Sequence, residues 1–195
     1  MRVKKRMLVL VAVLVILVLS ALNVEYGAEK AKPMVSPIAT PKIESTETSE
    51  IITTGFEKVL HQEYAKAESS ISVTIYTFTD MHIADYLVEA KVRGIDVRVI
   101  VDGEQVKLPE MKAVIAVLRK NDIPVEKSIH RGIMHRKESV IDGRTVLTGS
   151  FNYTKAAETV NDENMVRIRS EKVASGEEKT FEHMWTNSQS FEAIP

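Results

Sequence analysis

Apolar residues after residue 50 recur at the spacing of a helix and then of a strand, and the two spacings alternate towards the C-terminus. Helical spacing predicts helices over residues 56–67, 82–93, 108–120, 154–159 and 172–188. Alternating or β-branched runs predict strands over residues 71–78, 97–101, 123–125, 135–141, 145–148 and 164–169. Helices that alternate with strands are typical of α/β folds. We therefore expect a mixed, largely parallel β-sheet flanked by helices on both faces.

The first 46 residues follow neither pattern. Four basic residues precede an apolar run from Met7 to Leu22 that only Ser20 interrupts. This arrangement predicts a signal peptide or an N-terminal membrane-anchor helix over residues 1–22. The run is about 16 residues long, short of the ~20 that usually span a bilayer, so both alternatives stay open. Prolines among Ser, Thr, Lys and Glu then predict a disordered linker over residues 23–46, followed by a folded domain over residues 47–195.

Either N-terminal alternative exports the domain. The basic end stays in the cytoplasm, so we expect a secreted or periplasmic protein, or one anchored to the outer face of the cytoplasmic membrane. In the anchored form the N-terminal segment contacts the membrane. Exported domains often carry disulfides, but this chain has no cysteine. A cysteine nucleophile and a cysteine-ligated zinc site are therefore excluded.

The charge is distributed unevenly along the chain. Residues 1–22 hold four of the 26 basic residues and none of the 27 acidic ones, so the remainder carries a formal charge of −5. Such a domain does not bind nucleic acid through its bulk charge. Basic side chains nevertheless gather around one stretch of sequence: His130, Arg131, His135, Arg136, Lys137 and Arg144. A polyanion would be attracted there.

That stretch carries the densest chemistry in the sequence. Its residues follow the order H-x-K-x4-D-x6-G-S-x-N between His135 and Asn152. His135 is a nitrogen nucleophile that can be neutral near pH 7. Lys137 projects to the same side of an extended segment and offers a positive charge. Ser150 and Asn152, just after a glycine, can donate hydrogen bonds to phosphoryl oxygens.

Two carboxylates complete the candidate set. Glu163 can accept a hydrogen bond from Nδ1–H of His135 and so fix its tautomer. Asp142 belongs to the motif, but a role in bracing the turn Asp142-Gly143 is an alternative. The remaining histidines give no metal site, since no H-E-x-x-H pattern occurs and His61, His82 and His183 have no ligand partner at suitable spacing. His130 is expected to be a solvated loop residue.

This set of residues closely resembles the HKD signature of the phospholipase D superfamily. The resemblance extends over roughly residues 50–190 and is closest to the small members with one motif, typified by a bacterial periplasmic endonuclease. Further shared stretches are Ala67–Ile71 leading to Tyr76-x-Phe78-Thr79, Arg93–Val99, Gly149–Thr159 and Asn161-x-Glu163-Asn164. The sequence departs from the family at Glu138 and Ser139, where members usually carry apolar residues. The departure bears on the packing of the strand and not on the chemistry.

The resemblance implies a metal-independent phosphodiester hydrolysis without a cofactor. His135 would form a phosphohistidine, with Lys137, Asp142 and Glu163 as further catalytic residues and Ser150 binding the phosphate together with Lys137 and Asn152. A second histidine must protonate the leaving oxygen. Only one H-x-K occurs in the chain. We therefore expect a homodimer with a shared active site, in which two His135 side chains face each other across the twofold axis.

The substrate stays open among three hypotheses. The first is a non-specific endonuclease that hydrolyses DNA or RNA, which the resemblance and the local basic residues favour. The second is a phospholipase D that cleaves phospholipid head groups, which the N-terminal membrane segment and the acidic remainder of the domain favour. The third is a membrane-tethered nucleic-acid-binding protein without turnover, and the intact motif argues against it.

Overall fold

The computed structural model describes residues 47–195. The signal or anchor predicted for residues 1–22 and the linker predicted for residues 23–46 lie outside the described residues. None of the helices within residues 47–195 has the length and hydropathy of a membrane span.

Within this range the chain forms eight strands, five α-helices and one 3₁₀ turn. The strands are β1 (Thr48–Ile52), β2 (Ser70–Ile75), β3 (Asp96–Val101), β4 (Val125–Ser128), β5 (Lys137–Ile141), β6 (Thr145–Gly149), β7 (Met165–Arg169) and β8 (Phe191–Ala193). The helices are α1 (Phe56–Lys66), α2 (Met81–Val92), α3 (Pro109–Lys120), α4 (Lys155–Thr159) and α5 (Glu171–Thr186), and the 3₁₀ turn is Gln105–Lys107. All five predicted helices are confirmed.

Short polar side chains fix where several helices begin. Asp80 accepts a hydrogen bond from the backbone N–H of His82 at 3.0 Å and caps α2. Thr154 and Ser170 cap α4 and α5 in the same way. Pro109 occupies the first turn of α3, where its missing N–H costs no hydrogen bond. These caps explain why the helix boundaries agree with the sequence pattern.

The strands form one sheet in the order β1-β7-β6-β5-β2-β3-β4-β8 within the described residues. A mixed sheet is confirmed, but the expectation that it would be largely parallel is wrong. Only the β2–β3 and β3–β4 pairs are parallel, and the other five neighbouring pairs in this part of the chain are antiparallel. A buried strand has the same apolar pattern in both arrangements, so the pattern alone could not separate them.

The two faces of the sheet differ in composition. Helices α1, α2 and α3 cover one face, which is filled by alternate residues such as Ile71, Val73 and Val99. Helix α5 covers the other face, where Val140 and Val146 pack on Ala174 and polar residues lie beside them. Helices on both faces are therefore confirmed.

The polar side of the α5 face is centred on Arg98. Its guanidinium pairs with Glu178 at 3.4 Å and with Glu182 at 2.5 Å. It also lies over the Phe181 and Trp185 rings, 5.0 and 5.5 Å from their centroids. Such a partly buried network orients α5 on the sheet more than it adds net stability.

The two residues that depart from the family pattern both have partners. Ser139, fully buried, lies in a triangle of hydroxyl groups with Tyr64 at 2.6 Å and Tyr153 at 2.7 Å. The two phenols are 3.1 Å apart, so each hydroxyl can donate once and accept once. Glu138 accepts from Arg136 at 2.7 Å. Strand β5 therefore tolerates polar residues because each buried group is hydrogen-bonded.

Candidate active site

Five strands meet at the edge of the sheet that holds the candidate residues. Strands β2, β3 and β6 end there, and β5 and β7, which run in the opposite direction, begin there. The structure brings five predicted residues to this edge, which we call the site edge: His135, Lys137, Ser150, Asn152 and Glu163. Ligand sites in α/β sheets commonly lie at the carboxyl ends of parallel strands, as β2 and β3 are here.

His135 lies just before β5 and is exposed to solvent. Its ring packs against Tyr76, with 4.5 Å between the ring centroids and a tilt of 58°. Within residues 47–195 the imidazole makes no hydrogen bond to the protein, so both ring nitrogens are open to a substrate. An exposed imidazole of this kind can act as a nucleophile or as an acid–base group.

Lys137 is the first residue of β5 and its side chain is largely buried. Its ammonium donates to the carbonyl oxygen of His135 at 3.0 Å and lies 4.9 Å from the centre of the Tyr76 ring. Burial lowers the pKa of Lys137, and the nearby carboxylate of Glu163 raises it in part. The site therefore holds a poorly solvated cation, which binds a phosphoryl oxygen more strongly than a solvated lysine would.

Ser150 and Glu163 form the opposite wall of the site. The hydroxyl of Ser150 donates to the carboxylate of Glu163, which also accepts from Asn161 at 3.1 Å. Gly149 allows this arrangement, because a side chain at Gly149 would overlap the carbonyl oxygen of Asn164. In the described structure Glu163 accepts no hydrogen bond from His135. The expected contact between these two residues is therefore absent, and Ser150 and Asn161 take its place.

Asn152 contributes an amide that the protein does not satisfy. Its Oδ1 is buried and has no hydrogen-bond partner within residues 47–195. Buried polar atoms are almost always paired, so an unpaired one calls for an explanation, such as a catalytic role or a bound water or ion. This oxygen is an acceptor, so it can receive a hydrogen bond from a donor that enters the site edge, whereas a phosphoryl oxygen would bind the N–H groups of the amide.

Asp142 is the one predicted site residue that the structure does not bring to the site edge. It follows β5, at the opposite end of that strand from His135. Its carboxylate accepts hydrogen bonds from the backbone N–H groups of Glu68, Ser69 and Ser70, at 2.8–3.2 Å, and from the Ser69 hydroxyl at 2.9 Å. Burial opposes ionisation of this carboxyl, but these bonds outweigh it and lower the pKa of Asp142. The geometry matches the alternative in which Asp142 braces the turn.

The basic residues of the motif do not form the cluster that their sequence proximity suggested. Arg136 pairs with Glu138 at 2.7 Å and with Glu177 of α5 at 2.5 Å. Arg144 lies in the turn at the far end of β5, 3.7 Å from Glu171. The expectation of six gathered basic side chains is therefore wrong. Arg131 is exposed in the loop before His135.

One expectation for the other histidines is also corrected. His82 has a carboxylate partner, since its Nδ1 lies 3.3 Å from Glu57. With Asp80 these residues offer three ligand atoms within 4.8 Å of one another, the set in the described residues that could hold a metal ion. Asp80 also caps α2, and Glu57 also accepts from Tyr86 at 2.8 Å. These bonds account for the cluster without an ion.

Three residues of the site edge were not predicted as site residues. Tyr76 directly follows β2 and Asp102 directly follows β3, and Gln105 stands in the 3₁₀ turn after β3. Asp102 is buried and accepts from the backbone N–H of Met134 at 2.9 Å, which ties the loop before His135 to the end of β3. Residues just after neighbouring parallel strands commonly line a ligand site, so their positions in the sequence could have indicated these three as site residues.

Comparisons with known proteins agree with this geometry. A family model described as cardiolipin synthase, PLD-like domain, matches residues 60–185. A phospholipase D of Rickettsia conorii is 32% identical over 160 residues, which cover 81% of this chain and 74% of that protein. A mitochondrial cardiolipin hydrolase of Chlamydomonas reinhardtii is 31% identical over 119 residues, 61% of this chain and 52% of that protein. The chain thus spans between half and three quarters of the length of these two relatives.

A solved structure covers the same domain. The crystal structure of a phospholipase D family member, Nuc from Salmonella typhimurium, superposes with a TM-score of 0.70 at 29% sequence identity. The match covers 76% of this chain and 98% of that chain. The shared fold therefore extends over nearly the whole of the solved protein.

Proposed function

The chain belongs to the phospholipase D superfamily and is a phosphodiesterase, and we propose that its substrate is nucleic acid, which it hydrolyses as a non-specific endonuclease. One observation carries the proposal: His135 is exposed on an open edge of the sheet, beside a buried lysine and the half-buried amide of Asn152. The phosphates of a nucleic acid lie on its surface and can approach such an edge directly. The likeness to Nuc, at 29% identity, supports the same choice.

The proposed reaction proceeds in two displacements. A ring nitrogen of His135 attacks phosphorus, the bond from phosphorus to the leaving oxygen breaks, and a second histidine gives that oxygen a proton. The second histidine then takes a proton from water, which attacks the phosphohistidine and releases His135. Lys137 and the N–H groups of the Asn152 amide stabilise the charge that develops on the phosphoryl oxygens, and Ser150 does so when its hydroxyl turns from Glu163 to the substrate.

The second histidine comes from a second copy of the chain in this proposal. The described site edge holds one His-x-Lys, and its histidine is open to solvent. A twofold dimer would place two His135 side chains opposite each other and so complete the site. The two rings must then differ in protonation, and the rate would fall at both low and high pH.

A phospholipase D is the second candidate. The relatives named phospholipase D and mitochondrial cardiolipin hydrolase support it. So do two exposed isoleucines, Ile129 and Ile133, in the loop that leads to His135. Apolar side chains next to a site can contact a lipid surface. A binder without turnover is not favoured, because the nucleophile, the cation and the amide stand together.

The proposal is tested by turnover without metal. Residues 44–195, which include the whole of the described domain, are incubated in EDTA with plasmid DNA, single-stranded RNA and phosphatidylcholine vesicles. We expect nicking of nucleic acid that His135→Asn abolishes, because the nucleophile is lost, while the dimer persists in sedimentation. His183→Asn, an exposed histidine on α5, serves as the matched control and should keep full activity. Cleavage of lipid alone would replace the nuclease with the second candidate, and activity in His135→Asn would overturn the site.

A further inference from the structure

Tyr76 contacts both charged or reactive groups at the centre of the site. Its ring packs on the imidazole of His135 at 4.5 Å between centroids, and the ammonium of Lys137 lies 4.9 Å from the centre of the same ring. The backbone N–H of Tyr76 donates to the carbonyl oxygen of Arg136 at 2.9 Å, which extends the β2–β5 pairing up to the site. This hydrogen bond ties Arg136, the residue between His135 and Lys137, to the backbone of Tyr76.

Tyr76 is itself held in place by the turn that follows β3. The side-chain amide of Gln105 donates to the Tyr76 hydroxyl at 3.0 Å, and the amide oxygen of Gln105 accepts from Thr77 at 3.0 Å. Gln105 is itself held in place, because its backbone N–H donates to the carboxylate of Asp102 at 3.1 Å. Asp102 also accepts from Met134, the residue before His135. The segment that follows β3 thus forms hydrogen bonds both to Tyr76 and to the loop that carries His135.

We propose that Tyr76, held by Gln105, positions the His135 ring and the Lys137 ammonium for attack on the phosphodiester. The inference rests on the proposed phosphodiesterase site. Within residues 47–195 the imidazole makes no hydrogen bond to the protein, so the tyrosine ring is the contact that sets its orientation. The ring also covers one side of the ammonium and keeps it close to the histidine. A nucleophile displaced by about 1 Å can lose on the order of 100-fold in rate.

The two parts of the tyrosine have separable roles, which gives two informative variants. Tyr76→Phe keeps the ring and loses the hydroxyl that Gln105 holds. Tyr76→Leu keeps an apolar side chain and loses the flat ring on which His135 packs. Gln105→Ala leaves the ring and removes its hydrogen bond. We expect Tyr76→Leu to have the largest effect, Gln105→Ala a smaller one, and Tyr76→Phe the smallest.

Tyr86 provides a matched control away from the site. It also stacks on a histidine, His61, at 4.3 Å between centroids, and its hydroxyl also bonds to a side chain, Glu57, at 2.8 Å. It lies on α2 and not at the site edge. Tyr86→Leu therefore removes the same kind of contact and should leave turnover unchanged.

The experiment uses the full chain and a small generic phosphodiester, bis(4-nitrophenyl) phosphate, assayed in EDTA. For Tyr76→Leu we expect kcat to fall by about 10–100-fold while KM stays within about threefold, because Ser150 and Asn152 still bind the phosphate. Tyr76→Phe keeps the ring, so its kcat should stay within about threefold of the value for the unaltered chain. An unchanged kcat in Tyr76→Leu would overturn the proposal, and so would an effect confined to KM, which would make Tyr76 a substrate contact.

A second measurement reports the position of the ring without turnover. In chain labelled with ¹³C-histidine, the Hε1 resonance of His135 should move in Tyr76→Leu, since the ring current of Tyr76 is lost. It should hold nearly constant in Tyr86→Leu, where the His61 resonance should move instead. An unmoved His135 resonance in Tyr76→Leu would overturn the proposal even if the unaltered chain cleaved no phosphodiester. If Tyr76→Leu fails to fold, Tyr76→Met, which also replaces the flat ring with an apolar side chain, decides by the same two measurements.

Discussion

The two ends of strand β5 carry residues of one motif, but their polar groups are satisfied to very different degrees. At the site edge His135 is exposed without a hydrogen bond from its ring in the described residues, and Lys137 donates to a single carbonyl oxygen. At the other end the carboxylate of Asp142 accepts from three backbone N–H groups and one hydroxyl. The polar groups at the site edge therefore remain available to form hydrogen bonds with a substrate. Those at the other end already form their hydrogen bonds within the fold.

The pKa shifts at the two ends express the same difference. The pKa is lowered for both Lys137 and Asp142. For the lysine, burial disfavours the charged form, so the cation is held at a cost to the folded protein. For the aspartate, the hydrogen bonds outweigh burial and favour the charged form. A reactive group is therefore kept in an unfavourable environment, and a structural group in a favourable one.

Lys137→Met tests the site end and should have the largest effect among the predictions made from this comparison. We expect kcat/KM to fall by about 100–1000-fold, because the phosphoryl oxygens lose their cation. The free energy of unfolding should change little or rise, since a poorly solvated charge is removed. Turnover of bis(4-nitrophenyl) phosphate and urea unfolding measure the two quantities. Lys58→Met, an exposed lysine on α1, is the control. Retained activity in Lys137→Met would assign the cation's role to another residue.

The separation of His135 and Lys137 from Asp142 along β5 could be predicted in part from the sequence. The predicted strand over residues 135–141 would span about 20 Å, which by itself separates His135 from Asp142. The spacing also placed His135, Lys137, Ser150 and Asn152 together correctly, because a hairpin with a tight turn fixes the register of its strands. The partners of Asp142 could not be predicted, since they lie more than 70 positions earlier, on the neighbouring strand β2 and just before it.

The features that the sequence did not predict depend on contacts between distant segments. Strand β1 is almost wholly exposed and β8 has three residues, so neither carries an apolar alternation; each forms by pairing, with β7 and β4. Tyr76 and Gln105 meet because β2 and β3 are parallel neighbours. The withdrawal of Arg136 from the site requires Glu177, 41 positions later in the chain. Local patterns contain none of this information.

Asp142→Asn tests the other end and should affect stability and not turnover. Asparagine tolerates the positive φ of 54° at this position, so the variant isolates the loss of the carboxylate. Hydrogen bonds to a charged group suggest a loss of about 2–3 kcal/mol in the free energy of unfolding near pH 7. The rate per folded molecule should stay within about twofold. A loss of rate on the order of 100-fold, with the fold intact, would return Asp142 to the catalytic set.

The effect of Asp142→Asn should also depend on pH with a defined sign. The folded-state pKa of Asp142 lies below its unfolded value, so its contribution is complete above about pH 4. It is lost as the pH falls through the folded-state pKa, and the variant and the unaltered chain should converge there. Asp122→Asn is the control, because Asp122 also has a positive φ, 58°, in an exposed turn. Urea unfolding between pH 3 and pH 7 measures both differences.

Ser139→Ala tests the middle of β5 and should have the smallest effect. The variant removes the hydroxyl that lies 2.6 Å from Tyr64 and 2.7 Å from Tyr153, and the two phenols keep their own contact at 3.1 Å. Two of the three hydrogen bonds of the triangle are lost, each worth about 1 kcal/mol net, so we expect the free energy of unfolding to fall by about 2 kcal/mol. A double-mutant cycle with Tyr153→Phe separates the shared bond from the cavity. Turnover should stay unchanged, because the triangle contacts neither His135 nor Lys137. A fall in kcat without a fall in the free energy of unfolding would instead mean that a change in the middle of β5 alters the site. The two ends of the strand would then not be independent of each other.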